Sequence, residues 1–193
     1  MLIFAVTVEA GASTKFISIK AGSQYFNQDV EIAKTKAEQD QRANVFGISF
    51  DTRLQYFTWG VSITGFENDW KAKQPGTRTD GSYKVLTVAV EIKKYFRLYR
   101  DMFFYGGGGL GVSRIESRYT KDLVGRTDGD ALFTLLGTLG IEWRFDTHAI
   151  FLDSQWFGMD GNSNINSSGS NHRDNLYPSS SGPRLMLGIG FFF

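Results

Sequence analysis

From Ala131 to Phe145 the chain alternates between two kinds of side chain. Odd positions hold Ala131, Phe133, Leu135, Gly137, Leu139, Ile141, Trp143 and Phe145. Even positions include Thr134, Thr138, Glu142 and Arg144, with Leu132 and Leu136 as exceptions. A period of two is that of a β-strand. The same division separates Leu86, Val88, Val90 and Ile92 from Val85, Thr87, Ala89, Glu91 and Lys93, and Phe57, Trp59, Val61 and Ile63 from Thr58, Gly60, Ser62 and Thr64. It recurs in Ile150, Leu152 and Trp156 against Asp153 and Gln155, and in the final Leu185 to Phe193 segment against Arg184, Met186, Gly188, Gly190 and Phe192. The constraint lies in size. One face is bulky and apolar, and the other is small, hydroxyl-bearing or charged. A small closed barrel has an interior only wide enough for side chains, and rows of Leu, Ile, Phe and Trp from every strand would overfill it. The bulky face must therefore look outward, at lipid.

Eight such segments lie near residues 14–26, 43–53, 55–67, 83–96, 101–116, 130–145, 148–160 and 183–193. Their connections alternate. Long polar ones (27–42, 68–82, 117–129, 161–182) are separated by tight ones around Thr52-Arg53-Leu54, Arg97 to Arg100 and Asp146-Thr147. Extended outer loops, brief periplasmic turns and both termini on the periplasmic side give that rhythm. The fold class expected is all-β: an eight-stranded antiparallel up-and-down transmembrane β-barrel in a bacterial outer membrane. No run of about 18 apolar residues offers a spanning helix, and lipid leaves no partner for an open sheet edge.

With 193 residues the chain is read as one barrel domain over 13–193. Residues 1–12 are apolar and end in Ala10-Gly11-Ala12. They are either a secretion-signal remnant or an N-terminal extension, with Glu9 and the missing basic start against the former. A net charge of +1 gives no broad reason to expect nucleic acid, and the lack of cysteine excludes disulfides, thiol nucleophiles and thiolate metal sites.

Aromatic residues are expected as two girdles. Phe50, Phe57, Trp59, Tyr95, Phe96, Phe103, Phe104, Trp143, Phe145 and Phe191 to Phe193 fall at the short-turn end. Phe26, Phe66, Trp70, Phe133, Trp156 and Phe157 fall at the long-loop end. On the inward parity lie Lys20, Asp51, Glu91, Lys93, Glu142, Arg144, Asp153 and Arg184. Buried charges that are not paired cost several kcal/mol each, so these are expected to form a hydrogen-bonded ionic plug. The alternative is a gated narrow path in which Glu91 or Glu142 exchanges partners among Lys93, Arg144 and Arg184.

The chain resembles the small outer-membrane barrel families typified by outer-membrane proteins A, X and W. Leu185-x-Leu187-x-Ile189-x-Phe191-x-Phe193 is similar to the terminal strand signal read by the outer-membrane assembly machinery. Tyr105-Gly106-Gly107-Gly108-Gly109-Leu110-Gly111-Val112 is similar to a glycine-rich strand of these families. The resemblance implies a monomer in a bilayer with lipopolysaccharide; it covers architecture and differs in activity from member to member.

Other signals are weaker. Lipid A deacylases use a His-x-Ser pair, which neither His148-Ala149-Ile150 nor His172-Arg173-Asp174 supplies. Palmitoyl-transferring barrels place His, Asp and Ser together, which His172, Asp174 and Ser179 to Ser181 could imitate. Asp160-Gly161-Asn162-Ser163-Asn164 alternates oxygen side chains like a calcium loop, but Ile165 and Asn171 stand where glycine and an acid are needed. Gly106 to Gly109 precede no helix and make no phosphate cradle; they leave room for inner side chains such as Tyr105. Lys71, Lys73 and Arg78 could meet lipopolysaccharide phosphates. No cofactor is expected. The function expected is a non-enzymatic membrane anchor with contact-making loops, with a narrow channel and then a lipid-modifying enzyme as alternatives.

Overall fold

The computed structural model describes residues 14–26, 30–32, 35–54, 57–74, 77–120, 131–160, 163–166, 173–177 and 181–193. In chain order the strands are β1 (Thr14–Tyr25), β2 (Val30–Ile32), β3 (Thr35–Gln39), β4 (Arg42–Arg53), β5 (Phe57–Gln74), β6 (Thr77–Tyr99), β7 (Met102–Thr120), β8 (Ala131–Arg144), β9 (His148–Asp160), β10 (Ser163–Asn166), β11 (Arg173–Tyr177) and β12 (Gly182–Phe192). No helix occurs among the described residues. Eight of these strands form a closed antiparallel barrel. Around the wall run β1, β4, β5, β6, β7, β8, β9 and β12, and β12 returns to β1 in register from Phe16↔Phe192 to Gln24↔Arg184.

The alternation read from the sequence is the alternation of the wall. Ile19, Phe46, Trp59, Ile92, Leu139 and Leu187 are each more than half exposed on the outside. An apolar surface that wraps the whole barrel would be untenable in water and is matched in lipid, where every backbone group of a closed barrel is already paired. The terminal Leu185, Leu187, Ile189, Phe191 and Phe193 all lie on this outer face. Inside, small residues face large ones. A Cβ at Gly190 would run into the ring of Phe16, and one at Gly188 into the ring of Phe151.

The structure departs from the sequence reading in two respects. Residues 68–82 are not a loose connection: β5 and β6 stay paired from Glu67↔Lys84 to Gln74↔Thr77, and β7 follows them to Asp80↔Thr120. The long connections before β4 and before β12 also contain strands, which join in the order β10-β11-β2-β3-β5 as a sheet continuing the wall. Their polar composition, without a sustained apolar alternation, is why the sequence pattern reads as loops there.

The second departure concerns the girdles. Tyr95, Phe26, Phe66 and Phe157 are buried inside the barrel, and Phe103 and Phe192 pack partly buried against the inner cluster. Each shares the parity of inward neighbours: Phe157 follows Asp153 and Gln155, and Phe66 follows Ser62 and Thr64. Parity, not aromatic character, decides the face. Residues 1–12 lie outside the described residues.

Candidate functional site in the barrel lumen

At the short-turn end the wall ends of β4, β8 and β6 bring Arg53, Glu142 and Tyr95 together. Arg53 donates from Nη1 to Glu142 Oε1 at 2.5 Å and from Nη2 to Oε2 at 2.7 Å, a bidentate pair. Arg144 Nε donates to the same carboxylate at 2.6 Å. Both guanidiniums lie over rings: Arg53 Cζ is 3.6 Å from the centroid of Phe16, and Arg144 Cζ is 3.8 Å from that of Phe103.

One tier further in, Lys93 Nζ lies 3.1 Å from Glu91, and Lys20 Nζ spans Glu91 at 3.9 Å and Asp153 at 3.7 Å. The Tyr105 hydroxyl donates to Asp153. Ser49 donates to Asp51 at 3.1 Å and is itself bonded to Ser18 at 2.7 Å. The free space among these groups is a cavity of about 10 Å³, lined by Lys20, Asp51, Arg53, Lys93, Tyr105 and Glu142 with their neighbours. That is at the lower limit for a single water.

Toward the long loops the lumen changes character. Phe26, Val45, Phe66, Tyr83, Val85, Ile115, Leu132 and Phe157 fill it as a hydrophobic cluster. Arg184 sits against this cluster, 1% exposed, with its Cζ 3.6 Å from the Phe157 centroid. It donates to the Gln24 side-chain oxygen and, at 3.3 Å, to Thr64.

The eight inward charges named from the sequence thus separate. Lys20, Glu91, Lys93 and Asp153 form one cluster with Asp51 beside it. Glu142 and Arg144 form a second, and Arg184 joins neither. The pairing imagined between Arg184 and a glutamate is not among the ion pairs of the described residues; an amide and an aromatic ring take the place of the acid. Sequence reasoning missed Arg53 because Thr52-Arg53-Leu54 read as a turn. The parity of β4, which puts Asp51 inside, puts Arg53 there too.

Gly140 receives the Tyr105 ring, whereas within the Gly106–Gly109 run Gly107 and Gly109 lie against β6, a Cβ at Gly109 standing 2.9 Å from Glu91 Cγ, and Gly106 and Gly108 lie against β8. His148 stacks on Phe145 at 4.9 Å, at the short-turn end. His172, Ser179 and Ser180 lie outside the described residues, as do Gly161 and Asn162, while Ser163 to Asn166 form β10. Lys71 is exposed, and Lys73 pairs with Arg78 along the β5–β6 hairpin. No group of His, Cys, Asp and Glu among the described residues could hold a metal ion.

No family model and no curated protein matches the sequence. Solved structures do. Neisserial surface protein A is 13% identical over 95% of this chain and 100% of that one, with a TM-score of 0.61. Ail, the attachment invasion locus protein of Yersinia pestis, is 16% identical over 94% of this chain and 99% of its own, with a TM-score of 0.49. The outer membrane protease OmpT from Escherichia coli is 8% identical over 94% and 96%, with a TM-score of 0.47. At such identities the likeness is one of fold, and the fold is that of the small bacterial outer-membrane β-barrels.

Proposed function

We propose that this chain, built on the small outer-membrane barrel fold, is a sealed membrane anchor whose long loops make the contacts. It would sit as a monomer in the bacterial outer membrane, short turns and termini toward the periplasm, with lipopolysaccharide around its loop end. The observation that carries the reading is the filled lumen. Two ionic clusters leave a cavity of about 10 Å³, and an apolar cluster packs above them. A solute has no path through such a stack without breaking buried ion pairs, at several kcal/mol each. The outward-facing Leu185, Leu187, Ile189, Phe191 and Phe193 are available to the assembly machinery before closure.

A narrow channel is the second reading. Both polar atoms of the Gln155 side chain, the Thr138 hydroxyl and Arg184 Nη2 are buried without a hydrogen-bond partner among the described residues, a polar row where a path would run. Single-channel recording of the refolded protein in a planar bilayer separates the two. Silence from wild type and from the Glu91→Ala/Glu142→Ala variant supports the anchor. Discrete wild-type openings that change with the double substitution replace the anchor with a gate.

A further inference from the structure

Among the described residues β5 and β6 pair as far as Phe57↔Lys94, and β6 and β7 as far as Tyr99↔Met102. On its outer face β6 runs Val88, Val90, Ile92, then Lys94, then Phe96 and Leu98, all exposed. A single cation thus interrupts an apolar row that resumes beyond it. The Lys94 ammonium lies 5.8 Å from the Phe57 centroid and 5.4 Å from that of Phe96. At the tip, Arg97 Nε donates to the Arg100 carbonyl at 2.6 Å, and Arg100 takes a φ of 36°. Both arginines are exposed, so the end of the β6–β7 hairpin carries three cations, Lys94 on the outer parity, Arg97 on that of Tyr95 and Arg100 at the tip, against one acid, Asp101. The β8–β9 connection carries Asp146 and no cation between Phe145 and Thr147.

We propose that this turn is a docking site for an anionic glycerophospholipid, with Lys94, Arg97 and Arg100 facing the phosphate and Phe96 and Leu98 the start of the chains. Two arguments favour lipid over a protein partner. The patch lies on the lipid-facing row, which resumes beyond Lys94 at Phe96 and Leu98, and a lysine whose stem lies along apolar neighbours while its head reaches the polar layer is the arrangement expected at a bilayer surface. Charge complementarity selects the anionic headgroup over the zwitterionic one. The inference rests on the membrane reading of the barrel.

Trp59, which pairs with Ile92, and Trp143, which pairs with Met102, stand on the wall beside the turn and can report on it. In a Trp70→Phe/Trp156→Phe background, the protein is refolded into vesicles mixing phosphatidylglycerol and phosphatidylcholine, with one lipid brominated at a time. Brominated phosphatidylglycerol should quench the two tryptophans beyond its mole fraction, on the scale of a fivefold preference per cation near a charged surface. Lys94→Gln/Arg97→Gln/Arg100→Gln should return quenching to the mole fraction, and the version with Arg97→Lys/Arg100→Lys should keep the preference. Lys84→Gln/Arg114→Gln, on the outer face toward the loops, should leave it intact. Quenching at the mole fraction in the unaltered turn overturns the proposal and leaves the membrane barrel standing, as does a preference that survives the triple substitution. No quenching by either lipid overturns both.

Discussion

The two halves of the lumen solve the same filling problem with opposite chemistry. Near the short turns the space is closed by carboxylates and cations that depend on one another, such as Glu142 held by Arg53 and Arg144. Near the loops it is closed by Phe26, Phe66, Ile115 and Phe157, which need only volume. A network of charges is stable only when every member is present, whereas apolar packing loses a little with each atom removed. The ionic half should be brittle and the apolar half graded. Arg184 marks the boundary, a guanidinium bound to an amide and a ring rather than to an acid.

The largest effect should follow Glu142→Gln. It keeps the shape and strands two guanidiniums, and urea unfolding in lipid vesicles should show a loss of about 3–5 kcal/mol. A loss under about 1 kcal/mol would mean that the ionic half is not a unit. Phe157→Ala should cost about 3 kcal/mol by the same measurement, and its conductance sharpens the comparison. If it opens the barrel while Glu142→Gln stays silent, the seal lies in the apolar half. Gly190→Ala forces a methyl group toward the Phe16 ring and should cost about 1–3 kcal/mol, relieved in part by Phe16→Leu. Smallest should be Lys84→Gln. Its 3.1 Å pair with Glu67 is about half exposed at both ends, so the change should stay below about 1 kcal/mol and fade in high salt. The Glu142→Gln cost should persist in salt.

The parity of β8 and the long–short rhythm made the barrel legible, because a belt in lipid and a packed lumen impose opposite demands on neighbouring residues. The charges Lys20, Glu91, Lys93 and Asp153 were legible for the same reason. Their partners were not. Register aligns backbones, but Arg53 reaches Glu142 across the lumen, between strands that do not pair, and no local pattern encodes that reach. Tyr95 and Phe157 were assigned by residue type to girdles when their parity already placed them inside. The extended hairpin from Glu67 to Lys84 was hidden by Pro75-Gly76, Asp80-Gly81 and a polar composition that shows no apolar alternation.

Lys15 and Phe193 exchange backbone hydrogen bonds at 3.1 and 3.0 Å, and this ties the two ends of the described wall together. The ring therefore has a clasp, and the clasp is made of its outermost strands. Until residues 182–192 arrive, β1 and β9 each present a bare edge, and no arrangement of the other seven strands removes both. The ring is complete only when β12 pairs along both of its edges, with β1 and with β9. Splicing the clasp shut and reopening the chain in the connection before β8 would make the β12–β1 closure an ordinary hairpin, and such a permuted barrel should refold faster than the native order if that closure limits the rate.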